Sequence, residues 1–454
     1  MKESNQQQVG VQLPLIAKKR KEMSCAERVQ MYQRKLYLKA KQEKGFKFYI
    51  LYDKVFLGYI MREAWDRVKT NGGSAGIDEV TFESIEKTGA EGFLKTLSEE
   101  LRQQTYQASA VKRVWIPKNN GGKRPLGIPT IKDRVAQMAC KMVIEPIFEA
   151  DFEDCSYGYR PKRSAPDAIV KIREHLKNGK TDVYEADLSA YFDTIPHDKL
   201  KIALQERIAD KRVLWLIDKW LKAPIYEDGQ YKGGKKNKEG VPQGGVISPV
   251  LSNLYLHLLD RIVSYSKGLF RKTGVVMVRY ADDFVLMGHR LGEAIKKMKE
   301  LLHRMGLKLN EQKSNQINAR EEPFHFLGFV FRYDQSFKNP ASGKFWNIKP
   351  SDQANKRIRQ KIGLSLRQWG HYKVETLVSE LNAILRGWLN YYDIKGVSYS
   401  FVAKRELNDY LRTRFVRYFN RKSQRKSRLY RKQAFELLVS KFGLIDPIRY
   451  QPAT

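Results

Sequence analysis

The most constraining feature of this chain is a pair of short apolar runs that meet at two adjacent acids. Val275, Val276, Met277 and Val278 lead into Tyr280-Ala281-Asp282-Asp283, and Phe284, Val285, Leu286 and Met287 follow. Two β-branched or apolar runs joined at a polar dipeptide predict a hairpin. Its turn presents two carboxylates on a rigid apolar support. Like charges repel at this range, so the pair is unfavourable unless a cation lies between them. Hard divalent cations take carboxylate oxygens, and two of them can clamp the attacking and leaving oxygens of a phosphoryl transfer. A lone Asp-Asp pair is more commonly a solvated turn, so a catalytic reading needs further carboxylates.

One is supplied by Tyr184-Glu185-Ala186-Asp187-Leu188-Ser189-Ala190-Tyr191-Phe192-Asp193. Asp187 ends a strand containing Val183, and two adjacent side chains cannot by themselves surround two ions. The Leu188 carbonyl adds a possible oxygen ligand. Asp193 is expected to start the helix that includes Leu200 and Leu204.

Charge narrows the partner. Lys and Arg number 84 against 50 Asp and Glu, a formal charge of +34 over 454 residues. Self-repulsion on that scale disfavours a compact state without an anionic partner, and nucleic acid presents the densest negative charge. An anionic membrane is the rival, but no apolar stretch approaches the ~18 residues of a spanning helix. Met1 to Gly10 is polar, unlike a secretory signal. Cys25, Cys140 and Cys155 are scattered, which suits a reducing compartment and excludes a zinc site of four cysteines. The expectation is a cytoplasmic, nucleic-acid-binding protein of about two to four domains.

Asp187, then Phe192, then Tyr280-Ala281-Asp282-Asp283 resembles the palm of reverse transcriptases. Other strings resemble the group II intron-encoded branch, which joins a reverse transcriptase to an RNA-splicing maturase. The likeness covers roughly residues 60 to 420. It implies an α/β (α+β) right-hand polymerase, with fingers and palm built on antiparallel sheet over 61–335 and an α-helical thumb or maturase domain over 345–435. A basic extension, 1–60, would precede these and a tail, 436–454, would follow. The lead to about residue 22 reads as flexible, and a helix is expected from Ala26 to Lys47.

In chain order, the glycines of Asn71-Gly72-Gly73-Ser74 show only a flexible loop. The resemblance lays that loop, with Asn71 and Gly73, over template and primer. Lys112–Lys118 and Lys123–Thr130 read as paired strands around a Gly121-Gly122 turn. Composition alone leaves open a basic hairpin on generic RNA. The string Arg124-Pro125-Leu126-Gly127-Ile128-Pro129 resembles the fingers, implying that Lys118 and Arg124 close on an incoming triphosphate. Ser156-Tyr157-Gly158-Tyr159-Arg160 mixes aromatics with cations that can stack on bases and hold a backbone, although packed tyrosines would look the same. The resemblance makes Arg160 the template candidate there.

Taken alone Phe192 is a core residue. In the resemblance it lies with Ala190 at the incoming nucleotide, where a bulky ring under the sugar excludes a 2′-hydroxyl and so selects DNA synthesis. A Gly/Lys-rich loop is expected over 226–240, followed by Gly240-Val241-Pro242-Gln243-Gly244-Gly245, whose glycines let backbone approach a base pair closely. Gln243 would contact nucleotide or template, and Pro249 would open an apolar helix. After a helix ending near Met305 comes Lys313, a general-acid candidate for the departing pyrophosphate, although a solvated lysine is the commoner case. Phe324–Val330 is expected to be the strand closing the palm, with His325 packed beside it.

Val374, Leu377, Leu381, Leu385 and Trp388 then recur at helical spacing, as a bundle core does. Ile384–Tyr392, with Arg386, resembles the maturase domain. Between Lys404 and Lys432 there are 12 basic and 2 acidic residues. Arg412, Arg414, Arg417 and Arg421 are the candidates on a face that would grip RNA by backbone and shape. Many relatives append a DNA-binding segment and a nuclease; neither fits in the residues that follow, so second-strand cleavage is not expected.

The resemblance therefore implies an RNA-directed DNA polymerase with two Mg²⁺ ions (Mn²⁺ as a substitute) held by Asp187, Asp282 and Asp283, and Tyr280 beside the nucleic acid. Its partners would be an RNA template with a DNA primer, dNTPs, structured intron RNA and a DNA target site. Two alternatives remain: a related polymerase recruited to antiviral defence or CRISPR spacer acquisition, and a non-enzymatic RNA-binding splicing factor with a relic palm.

Overall fold

The computed structural model describes residues 23–117, 122–336, 343–422 and 433–452, with residues 421 and 422 described by backbone alone. The basic lead, Lys118 and the Arg421 side chain therefore lie outside the described residues. The strands are β1 Val111–Pro117, β2 Lys123–Ile128, β3 Asp182–Ala186, β4 Pro224–Glu227 and β5 Gln230–Gly233. They continue with β6 Val276–Tyr280, β7 Asp283–Gly288, β8 Asn315–Asn318, β9 Phe324–Phe326, β10 Phe329–Gln335 and β11 Lys344–Pro350.

The palm is the antiparallel sheet β6-β7-β3-β8. Its central strand β7 is apolar from Phe284 to Met287 because both faces are covered. Val183, Val278, Val285 and Met287 pack with Ala168, Ile169 and Ile172 of the helix Ala165–Lys177. On the opposite face Ala186, Met277, Phe284 and Leu286 join Leu251, Leu256 and Leu259 of the helix Ser248–Ser264. A rigid floor follows from burying both faces.

The fingers sheet runs β2-β1-β4-β5, with β4 parallel to β1 and the other pairs antiparallel. Residues 226–240 are therefore not wholly a loop. Asp228-Gly229, at φ +50° and +80°, turns β4 into β5, as an Asp-Gly pair between two strands favours. The strand expected over Phe324–Val330 also divides. Leu327 and Gly328 take left-handed φ of +49° and +80° and fold β9 onto β10. These join β11 in a separate sheet, and β8 closes the palm instead. His325 is exposed rather than packed, while its backbone N–H donates to Glu185 at 2.8 Å.

The thumb consists of the helices Asp352–Trp369, Val374–Tyr392, Phe401–Lys422 and Ala434–Phe442 around Ile362, Leu381, Leu385, Phe415 and Phe435. Two sequence expectations shift here. The stretch from 344 begins as strand β11, and the expected tail is partly thumb, since Leu438 and Leu444 are buried in the same core. Asn408 donates to Asp446 at 2.9 Å and Tyr450 to Asn390 at 2.8 Å, pinning the last described residues.

Fingers and palm meet at a glycine joint. The Gly127 N–H of β2 donates to the Gln243 carbonyl at 2.6 Å. Gly244 holds φ +107°, and a Cβ there would come within 2.2 Å of the Gly127 oxygen. Gly244→Ala should cost about 1–3 kcal/mol, the scale of an alanine forced into strained backbone, and so lower the melting midpoint read by circular dichroism. An unchanged midpoint would mean that the joint is not docked as described.

Candidate polymerase active site

The β6–β7 hairpin closes in the shortest way available, with Tyr280 paired to Asp283 and Ala281-Asp282 as the turn. Ala281 is left-handed at φ +58°. On the neighbouring strand Ala186 pairs with Phe284, so the register carries Asp187 out beside Asp283. The sheet thus gathers Asp187, Asp282 and Asp283 at one end of the palm.

The electrostatics reflect that crowding. Burial pushes the Asp283 carboxyl up to about 6, and the neighbouring Asp282 and Asp187 add to the effect while Lys313 opposes it. Asp282 is raised chiefly by burial and then by Asp187, with Arg124 and Arg279 pulling it down. Lys313 places its ammonium 3.3 Å from an Asp187 oxygen. Among the described residues no three His, Cys, Asp or Glu side chains are already gathered into a metal cage. Lys313 is instead the nearest compensating cation.

Asp187 is also tied down through its backbone. Its carbonyl accepts from Asn310 at 2.8 Å, and the Ser189 N–H donates to Lys308 at 2.8 Å. The Leu188 carbonyl between them is left out of that pair of bonds. Ala190 is exposed at φ +46° and caps a short helix, Tyr191–Thr194. Phe192 on that helix is buried, and its carbonyl accepts from Val241 at 2.6 Å.

That short helix corrects the reading of Asp193. It starts no longer helix; the helix carrying Leu200 and Leu204 begins at His197 after Pro196, which interrupts the chain between them. Asp193 instead accepts from the Gln243 amide at 3.1 Å, and the Gln243 oxygen accepts from Arg124 at 3.0 Å. A polar chain therefore crosses from fingers to palm through two nucleotide candidates.

Arg160 is a second correction. Its Nε donates to Glu149 at 3.0 Å, Nη1 to the Glu153 and Ser156 carbonyls at 2.6 and 2.8 Å, and Nη2 to Glu149 at 2.8 Å. A buried guanidinium with its fork occupied by its own protein is not presented to a template. The exposed member of that string is Tyr159, whose phenol is raised by burial and then by Asp282, with Tyr280 and Asp283 also raising it and Arg124 lowering it. Only the fold shows which residue of that string is exposed. Tyr280 is half-buried at the base of the turn.

The other candidates stand apart from this group. Exposed Asn71 ends the helix Gly58–Asn71, and Gly73 follows at φ +104°. Arg134 holds this loop from below through the Ser74 carbonyl. On the thumb, Arg386 and Arg417 are exposed, and Arg414 lines a groove with Lys356, Arg359 and Arg367. Arg412 is a third correction. It pairs with Glu436, donates to Asn408 at 2.7 Å and covers the Phe435 ring at 4.6 Å, which gives it a structural task.

An antiparallel palm carrying carboxylates at its edge, roofed by a fingers hairpin and followed by a helical thumb, defines a right-hand nucleic-acid polymerase. Residues 116–331 match the family model described as reverse transcriptase (RNA-dependent DNA polymerase), and 355–435 match the maturase-specific domain of group II introns. Protein YkfC of Escherichia coli (strain K12) is 38% identical over 270 residues, covering 52% of this chain and 70% of that one. The group II intron-encoded protein LtrA of Lactococcus lactis subsp. cremoris is 29% identical over 392 residues, 67% of this chain and 65% of the relative. A 91 kDa protein in the cob intron of Schizosaccharomyces pombe is 27% identical over 403 residues, 72% of this chain and 49% of the relative. The chain thus spans between about half and seven tenths of the length of these relatives. It belongs to the group II intron reverse transcriptase and maturase family, whose enzyme class is RNA-directed DNA polymerase using divalent metal ions. No described helix is long and apolar enough to cross a membrane.

The crowded carboxylates carry a pH signature. Asp283 is raised in the folded state, so its contribution to stability is complete below the ordinary carboxylate range, about pH 4, and is lost as pH rises through about 6. In chelator, Asp283→Asn should remove the like charge, raising the melting midpoint at pH 7 and leaving it unchanged at pH 4. A variant that matches wild type at both pH values would show that the Asp283 carboxyl is not raised in the folded protein.

Proposed function

We propose that this protein copies an RNA template into DNA from a primer 3′-hydroxyl. The observation carrying that reading is the meeting of Asp187, Asp282 and Asp283 at the end of the palm strands, where burial, and then the neighbouring like charges, raise two of the three carboxyls. Such a site is completed by cations, and these oxygen donors suit hard ones. Asp187, Asp282 and Asp283, with the Leu188 carbonyl, would hold two Mg²⁺ ions, with Mn²⁺ as a substitute. Bound there, divalent ions supply charge that activates the primer hydroxyl and offsets the triphosphate.

The chain's own groups do the rest. Lys313 is an ammonium that counter-ions can release from Asp187, leaving it to protonate departing pyrophosphate. Arg124 offers its fork to phosphate oxygens in exchange for Gln243, and Gln243, freed in turn, faces nucleotide or template. Lys118, next in sequence after β1, would add a second cation. Ala190 and Phe192 sit under the nucleotide sugar, and the Phe192 ring is the element that would exclude a 2′-hydroxyl. Asn71, Gly73 and Tyr280 line the template–primer path.

The thumb reading is binding of structured intron RNA, supporting splicing and retrohoming into a DNA target. Arg386, Arg414, Arg417 and Arg421 are its candidate phosphate contacts. The cytoplasm, a reducing compartment, suits the three unpaired cysteines.

Primer extension on a defined RNA template with Mg²⁺ tests the polymerase. Wild type should extend with deoxynucleotides alone, and Asp282→Ala should fall to background. Phe192→Val should admit ribonucleotides. No extension by folded wild type would sink the enzyme reading and leave an RNA-binding protein.

Filter binding of intron RNA tests the thumb. Arg414→Ala with Arg417→Ala should weaken affinity and flatten its salt dependence by about one to two charges. Arg412→Ala should chiefly lower the melting midpoint. The reverse pattern would reject this division of labour.

A further inference from the structure

Two residues flanking the candidate carboxylates hold left-handed backbone although neither is glycine. Ala281 lies at φ +58° in the catalytic turn and Tyr159 at φ +57° in the loop facing it. Such conformations persist only where the surroundings over-determine them. Both converge on one guanidinium.

Arg279 is completely buried, as is Asp260. Nε of Arg279 donates to one Asp260 oxygen at 2.7 Å, and Nη2 pairs with the other. Nη1 donates to the Asn253 side-chain oxygen at 3.0 Å and to the Ala281 carbonyl at 2.8 Å. The Asn253 amide in turn donates to the Gly158 carbonyl at 2.7 Å. Asn253 and Asp260 lie two turns apart on the helix Ser248–Ser264, so one helical face presents both. The backbone completes the knot: Tyr157 N–H donates to the Arg279 carbonyl at 2.9 Å, and Arg279 N–H to the Cys155 carbonyl at 2.8 Å. Gly158 lies so close that a Cβ would stand 2.4 Å from the Ala281 nitrogen.

A buried ion pair is no guarantee of stability, because well-packed apolar side chains often do as well. Apolar side chains could not, however, bond the Ala281 and Gly158 carbonyls. The ionic arrangement does something that packing cannot. We propose that Asn253, Asp260 and Arg279 form a buried positioning unit that presets the turn bearing Asp282 and Asp283 and locks the Gly158–Tyr159 loop against it. None of the three touches the reacting atoms; they act through the backbone on either side of them. Tyr159 becomes a fixed wall of the cleft rather than a mobile loop residue. This rests on the polymerase reading of the same site.

Two variants test it, Arg279→Lys, which keeps the charge and loses the fork, and Asn253→Ser, which shortens the bridge. Affinity for Mn²⁺ alone, followed by the electron paramagnetic resonance of the free ion, is measured beside kcat, nucleotide KM, template–primer affinity and thermal unfolding. Both variants should unfold cooperatively and bind template–primer within about twofold of wild type. Their kcat should fall roughly 10- to 100-fold, the scale of an ångström's misplacement, and Mn²⁺ affinity should weaken with it. Should Arg279→Lys fail to fold, Asn253→Ser carries the same comparison. Folded variants with wild-type kcat and Mn²⁺ affinity would overturn the unit, as would a kcat loss matched by an equal loss of template–primer affinity. Mn²⁺ binding still decides the matter if wild type does not extend a primer, an outcome that would count against the polymerase reading alone.

Discussion

Three carboxylates on adjoining strand ends repel one another, and the architecture is arranged so that they stay together regardless. A flexible support would let the acids drift apart and relax the repulsion. The palm prevents this by burying both faces of its central strands, by closing β6 on β7 with two residues, and by pairing β3 to β7 so that Asp187 emerges beside Asp283. Burial raises the Asp283 carboxyl and the repulsion from Asp282 and Asp187 raises it further, partly offset by Lys313. A site built this way favours cations because of its own geometry. Around it, a chain of formal charge +34 favours polyanions. A negative hole within a positive surround suits a reaction that brings phosphates to metal ions.

The parts of this design legible in sequence were those governed by local rules. The apolar runs flanking Asp282-Asp283 are visible because both faces of those strands are buried, giving uninterrupted rather than alternating hydrophobicity. Pro249 near the start of its helix and the spacing from Val374 to Trp388 are local too. The division of Phe324–Val330 had a signal, Leu327-Gly328, that the apolar character of the stretch outweighed. The β4–β5 hairpin was announced by Asp228-Gly229 and hidden by the lysines that follow. Asp193 was misread because its neighbour Pro196, rather than its own capping preference, fixes where the helix starts.

The cations were the least legible, for a physical reason. Composition counts charges, while function depends on which charges are already spent. Arg160 and Arg412 look in sequence like arginines whose side chains are exposed. Their partners, however, are Glu149 with the Phe152, Glu153 and Ser156 carbonyls in one case and Glu436, Asn408 and the Phe435 ring in the other. Arg279 sits one residue before Tyr280-Ala281-Asp282-Asp283 and is entirely interior. No periodicity distinguishes these from Arg414 or Arg417. The distinction is tertiary, because a guanidinium has five donors, and only the folded chain shows how many are taken.

The same accounting bears on how the cleft prepares for substrate. Arg124, Gln243 and Asp193 form a continuous chain from fingers to palm. Each bond in it satisfies a polar group that would otherwise compete for water. A triphosphate reaching Arg124 exchanges a neutral amide acceptor for an anionic one, which is the stronger bond. That exchange frees the Gln243 side chain while its backbone stays fixed to Gly127. The groups proposed to recognise the nucleotide are therefore held by one another beforehand, at small cost to release. On the proposed reading, engaging a nucleotide then needs a change of partners within an existing joint rather than the assembly of a new one.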